Sequence, residues 1–192
     1  MNHKGWAAML RAREKTRGQA EQDRRAVVQV VLWCIVIAMH EVLGYGAKRL
    51  NEFGRQYNIA IDRYETMVRA VGEEKAKRWV AEETGGLRFV LPADRAIRRQ
   101  KDRERLAQKR MAADQAWTLA VVAWKDMGIG EKRAQAILDK AEEEYRWFLD
   151  WAKEGDEYGY ERIRQAAEAI LHEEMEVVEE PGDKPVFSDV MR

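Results

Sequence analysis

Proline and cysteine are nearly missing from this chain, which has three prolines and one cysteine in 192 residues. Thirteen glycines add little further turn chemistry. A sandwich or barrel needs many short strands and many turns, so this composition excludes both and favours long helices with short connections. A lone Cys34 cannot form a disulfide within the chain, and no cysteine or histidine cluster has zinc-site spacing. A cytoplasmic setting is therefore expected. A net charge of either sign is also lacking, since 34 Lys and Arg balance 34 Asp and Glu. There is no His-Glu-x-x-His, no P-loop and no Gly-x-Ser-x-Gly. The three histidines, His3, His40 and His172, lie far apart. The sequence thus offers no catalytic residue, metal site or cofactor site, and the expected protein is not an enzyme.

No long hydrophobic run is evident. Ala26–Met39 is 14 residues long, contains Gln29, and is bounded by Arg25 and by His40-Glu41. A membrane span needs roughly 20 apolar residues, so this segment is expected to be a buried core helix, with no membrane as partner. The first residues, Met1 to Trp6, lead into charged sequence without an apolar stretch and cleavage site, so no signal peptide is expected.

What is present is a large apolar share, 46%, with seven tryptophans, and a charged share of 35%. The usual charged share is about 25%. The charges are unevenly placed. Arg95–Arg110 carries eight basic and two acidic residues, and the first 25 residues carry seven and three. Asp139–Glu179 carries fourteen acidic and five basic residues. Basic arms thus precede each apolar segment, and the C-terminal third is acidic. Any single run of this kind is most simply a solvated helix face, the acidic Glu142-Glu143-Glu144 included.

The chain also resembles itself at an offset of 84 residues. The windows WCIVIAMHEVLGYGAKRLNEF and WTLAVVAWKDMGIGEKRAQAI align without a gap, from Trp33 and Trp117 respectively. Trp33 matches Trp117, Gly44 matches Gly128, Gly46 matches Gly130, and Lys48-Arg49 matches Lys132-Arg133. The alternative is two unrelated helical hairpins with similar turns. If the copies share a fold, the helix formers of AADQAWTLAVVAWKDM decide the state of the Val- and Ile-rich first copy. The expected fold is all-α: two tandem three-helix units at 1–91 and 92–179, followed by a flexible tail at 180–192. Helices are expected at about Trp6 or Asp23 to Val42, Ala47–Ala70, Glu73–Glu83, Ala93–Asp126, Glu131–Lys153 and Glu157–Glu179, with Leu87–Pro92 as the linker. Trp33, Trp117, Trp124, Trp147 and Trp151 lie among apolar neighbours at helical spacing and are expected in the core. Cys34 is expected there too, as an inert thiol.

Gly44-Tyr45-Gly46 and Gly128-Ile129-Gly130 each separate two helices. A left-handed cap, a core residue and an unhindered helix start would explain these triplets as turns alone. The turns do not explain Lys48-Arg49 and Lys132-Arg133, which occupy the first turn of the following helix, where the helix dipole disfavours cations. An anion bound there would reverse that sign, because free amides at a helix start bind phosphate. Gly44, Gly46, Lys48, Arg49, Gly128, Gly130, Lys132 and Arg133 are therefore the candidate nucleic-acid-binding residues.

Met127-Gly128-Ile129-Gly130-Glu131-Lys132-Arg133-Ala134, followed by Ile137-Leu138, resembles a helix-hairpin-helix motif. Leu50 stands in the first copy where that motif has a small residue. The resemblance implies that backbone amides grip DNA phosphates without reading sequence. A second stretch, His40-Glu41-Val42-Leu43-Gly44-Tyr45-Gly46-Ala47-Lys48-Arg49-Leu50-Asn51-Glu52-Phe53, ending at Glu83-Thr84-Gly85, is similar to small uncharacterised helical proteins of Gram-positive phages and prophages. That resemblance implies a phage accessory protein acting in the host cytoplasm. Such proteins are often binders or inhibitors, anti-CRISPR proteins among them. Two readings follow. The first is a DNA-binding protein that contacts backbone through both turns. The alternative is an inhibitor of a host defence nuclease, whose basic groove would meet the acidic C-terminal third. The apolar first helix could close a core within one chain or pair with a second copy in a homodimer.

Overall fold

A computed structural model describes residues 3–87, 89–92 and 100–171. It contains α1 (His3–Leu43), α2 (Ala47–Val71), α3 (Glu73–Thr84), α4 (Gln100–Asp126), α5 (Glu131–Ala152) and α6 (Asp156–Leu171), with no strand among the described residues. The chain is all-α. The expected tail at 180–192, the expected last turns of the sixth helix after Leu171, and the expected start of the fourth helix at 93–99 lie outside the described residues.

The β-branched run of α1 is helical because it is buried. Every residue from Val30 to Met39 is inside the core, so packing outweighs local propensity. By length and composition alone, Glu21–Leu43 is long and apolar enough to cross a membrane, and most of it is covered by the other helices. The 14-residue apolar run therefore sits in a longer stretch of low charge than its own length suggests.

Both halves of the chain contribute to one core cluster. α1 packs on α4, α5 and α6 and only slightly on α2, although just three residues separate α1 from α2. α4 packs on α1, α2 and α3. Each long helix is thus covered mainly by the two helices that follow the other long helix. α1 and α4 run side by side in the same direction. Near the start of the pair, Arg105 donates to the buried carboxylate of Asp23 from Nε at 2.5 Å and from Nη2 at 2.6 Å. Near its end, the indole N–H of Trp124 donates to Met39 Sδ at 3.2 Å.

The following helices cross these ends. α2 lays Phe53 against Trp124 at a ring separation of 6.3 Å and pairs Arg63 with Asp126 at 2.8 Å. α5 brings Lys140 within 2.9 Å of Glu41 on α1, and the same ammonium lies 3.0 Å from Glu143 and 3.2 Å from Glu144. On the α5–α6 side of α1 the gaps are filled by rings: Tyr160 meets Trp33 edge-on at 6.4 Å and Phe148 at 5.4 Å. Leu87, Phe89 and Leu91 of the linker are buried in alternation, and the Val90 amide donates to Glu142 Oε1 at 2.8 Å.

Trp124 joins α4 to both α1 and α2, so its loss should be felt by the whole fold. Trp124→Ala should cost about 3–5 kcal/mol, the usual range for a large aromatic deleted from a core. The loss should appear in chemical denaturation as one shifted transition. Two separated transitions, with only one displaced, would show that the halves unfold independently.

Lys140 supports a second expectation. Its pKa is raised, first by its hydrogen bond to Glu41 and then by those to Glu143 and Glu144. Burial pushes the Glu144 carboxyl above its ordinary value, with Lys140 opposing that shift. In Lys140→Met, Glu144 would keep its burial and its two acidic neighbours without the cation. The variant should lose about 1–3 kcal/mol at pH 7. A carboxyl whose folded pKa exceeds its unfolded value favours folding as pH falls through the folded value. The stability gap between variant and wild type should therefore narrow as the pH is lowered toward the carboxylate range, as urea denaturation at several pH values can test. A gap independent of pH would refute this account.

Candidate nucleic-acid interface

The two Gly-x-Gly turns have the same backbone design. Gly44 has φ 67° and Gly128 has φ 74°, both in the left-handed region that suits glycine at the end of a helix. Gly46 and Gly130 are extended and sit at the N-caps of α2 and α5. The two helix ends are closed differently. The first has one bond, from the Gly44 amide to the His40 carbonyl at 2.8 Å. The second has the paired Schellman bonds, Ile129 to Trp124 at 2.8 Å and Gly128 to Lys125 at 2.9 Å. His40 adds to the first turn, its Nδ1–H donating to the Tyr45 carbonyl at 2.9 Å. His40 is therefore a turn cap at the surface. Cys34 is fully buried, and burial pushes its thiol well above its ordinary pKa. A thiol in that state is a poor nucleophile.

Ile129 packs into the core as expected, whereas Tyr45 is only half-buried. The carbonyl of Gly46 accepts from the amides of Arg49 and Leu50 at 3.0 and 3.1 Å. That of Gly130 accepts from Arg133 and Ala134, each at 3.0 Å. No side chain caps either helix start, so the amides of the residues just after each glycine point out of the helix without a capping group. A Cβ added at any of the four glycines would meet nothing within 4 Å, so neighbouring groups do not crowd the glycines.

Lys48, Arg49, Lys132 and Arg133 are all exposed. They are not equivalent. Arg49 bonds Glu52 at 2.6 Å, one turn further along α2, and its pKa is raised by that bond. Glu131 places a carboxylate in the first turn of α5, while α2 has none there. The chain direction brings the two turns to the same end of the molecule. α1 and α4 are parallel, and the Met39–Trp124 contact lies one turn or so before Gly44 and Gly128.

The tryptophans depart in part from expectation. Trp33, Trp117 and Trp124 are buried. Trp151 is half-buried, with the Arg162 guanidinium 5.6 Å from its ring centre. Trp147 is 50% exposed. It shares α5 with buried Tyr145 and Phe148, but helical geometry turns it about 200° away from Tyr145. Among the described residues, no group of three or more His, Cys, Asp or Glu is placed to hold a metal ion.

Sequence reasoning missed the feature on the opposite side of α1. A cleft of about 620 Å³ opens between α1, α2 and α4, and Gln29 lines it. The only signal was a glutamine inside an apolar run. No protein-family model, curated protein or solved structure matches the chain significantly.

Proposed function

We propose that this protein is a non-enzymatic binder of nucleic-acid backbone that grips phosphates with its two Gly-x-Gly turns. One observation carries the reading. Two turns with the same φ pattern stand at one end of the α1–α4 pair, and each sets uncapped helix-start amides beside exposed Lys and Arg. Amides and dipole together form an anion site, and adjacent cations add to it by displacing counterions from the duplex. On this reading the halves 1–91 and 92–179 are copies of one three-helix unit, each supplying one phosphate grip. The protein would be a phage-type accessory factor acting in the host cytoplasm.

A second reading is inhibition of a host defence nuclease through protein contact. It is favoured by the half-exposed indole of Trp147, which lies on α5 between Glu143 and Asp150, one turn away on either side. An aromatic anchor among carboxylates fits a basic groove. The two readings use different residues and separate cleanly by mutation.

Replacing Lys48, Arg49, Lys132 and Arg133 together with alanine should leave stability within about 1 kcal/mol of wild type, because all four are exposed. Fluorescence anisotropy with a labelled duplex at several salt concentrations should show weakened binding. The slope of log K against log salt should shrink by roughly 0.9 for each phosphate contact removed. If the variant folds and binds with an unchanged slope, the turns only connect helices. If wild type shows no salt-dependent binding at low ionic strength while Trp147→Ala abolishes capture of a purified nuclease, the second reading replaces the first.

A further inference from the structure

We infer that a further cleft, between α2, α3 and α4, is a binding site for a small, neutral, single-ring aromatic molecule. Its volume is about 710 Å³, within the usual range of ligand pockets, about 300–1,000 Å³. The inference rests on reading the two halves as copies of one unit, but not on the phosphate grip of the turns.

The second half holds a ring that the first half lacks. Gly72 and Gly155 each precede the third helix of their half, α3 or α6. Counted from these glycines, Val80 matches Ile163 and Thr84 matches Ala167, and all four are buried. Lys77 then matches Tyr160. The 84-residue offset matches Trp117 to Trp33 and Tyr64 to Phe148. In the second half Tyr160 packs edge-on against both partners, at 6.4 Å from Trp33 and 5.4 Å from Phe148. In the first half Tyr64, Lys77 and Trp117 line the cleft together. Lys77 has no ring to offer, and its ammonium is drawn along α3 to Glu73 at 2.8 Å and Glu74 at 3.6 Å. Met111 on the cleft wall is 62% exposed, whereas its counterpart Val27 is buried. Two aromatic side chains thus flank a space that holds a phenol ring in the other half.

That counterpart sets the chemistry of the ligand. A flat ring placed between Tyr64 and Trp117 makes the edge-to-face contacts that Tyr160 makes with Phe148 and Trp33. Among the charged residues lining the cleft, Arg24 and Lys77 balance Glu73 and Asp114, so neither an anion nor a cation is favoured.

The probe is p-cresol, the ring that Tyr160 presents, and the control is 4-methylcyclohexanol, which is similar in size but not flat. Ligand-detected NMR should show p-cresol binding in the millimolar range, which about eight heavy atoms can reach. The control should bind at least about fivefold weaker, because it cannot make ring–ring contacts. Lys77→Tyr should fill the space, so that p-cresol binding disappears and Tm rises by about 2–6 °C. Lys77→Ala should keep p-cresol affinity within about twofold, because an exposed ion pair contributes little. Equal binding of the two compounds, binding of neither, or p-cresol binding that survives Lys77→Tyr would overturn the inference. If Lys77→Tyr raises Tm but wild type binds no p-cresol, the site fails while the matching of the halves stands. If Lys77→Tyr lowers Tm, both fail, because position 77 then does not face the space that Tyr160 fills.

Discussion

The structure depends on one constraint: α1 cannot show water any side of its middle section. From Val30 to Met39 every side chain is apolar and every one is buried. An amphipathic helix is satisfied by one neighbour, but a helix apolar all round must be enclosed. α1 meets that demand with α4, α5 and α6. The helices of its own half do not cover it, because α2 scarcely touches α1 and α3 packs with α2 and α4. The crossing of the two halves follows from this demand. α4 is similarly enclosed by α1, α2 and α3, and its Trp124 closes the shared end of the pair.

Polar groups mark the ends and edges of this arrangement, where they fix its register. Asp23 is held by two bonds from Arg105, which sets the axial position of α4 against α1. A bidentate carboxylate–guanidinium pair has narrow geometry and specifies alignment more than it adds stability. Lys140 does the same for α5 at the other end, gathering three carboxylates from two helices.

Much of the fold was legible because glycine punctuates it. The turns at Gly44 and Gly128, and the stop at Thr84-Gly85-Gly86, mark helix ends to within about a residue, since a left-handed residue at a helix end nearly requires glycine. The tertiary pairing was not legible. Helical periodicity tells which face of a helix is apolar but not which other helix covers it, so a chain of two similar halves reads equally well as two separate units or as interleaved ones. Trp147 was misjudged for the same reason. It stands four residues from Trp151, a spacing that looks internal, yet Trp147 is half exposed and Trp151 only half-buried. The candidate site divides the same way. The glycines and the basic pairs stand out in the sequence, but the Arg49–Glu52 bond and the common end of both turns are properties of the packing. The cleft lined by Gln29 was hardest to foresee, since it lies between α1, α2 and α4, whose mutual packing periodicity does not reveal.

α2 runs from the first turn to the cleft. α2 begins at Gly46 with Lys48 and Arg49 in its first turn, and its middle forms one wall of the cleft through Tyr57 and Ile61. It is held by α3 and α4 and hardly at all by α1. On the α5–α6 side of α1, the rings of Trp33, Tyr160 and Phe148 pack on one another. The second turn is closed by two Schellman bonds and backed by Ile129 in the core. The first turn, with one backbone bond and the His40 cap, sits at the end of the helix whose support is incomplete. The two turns, alike in their glycine conformations, thus differ in closing bonds and in the packing of their middle residue.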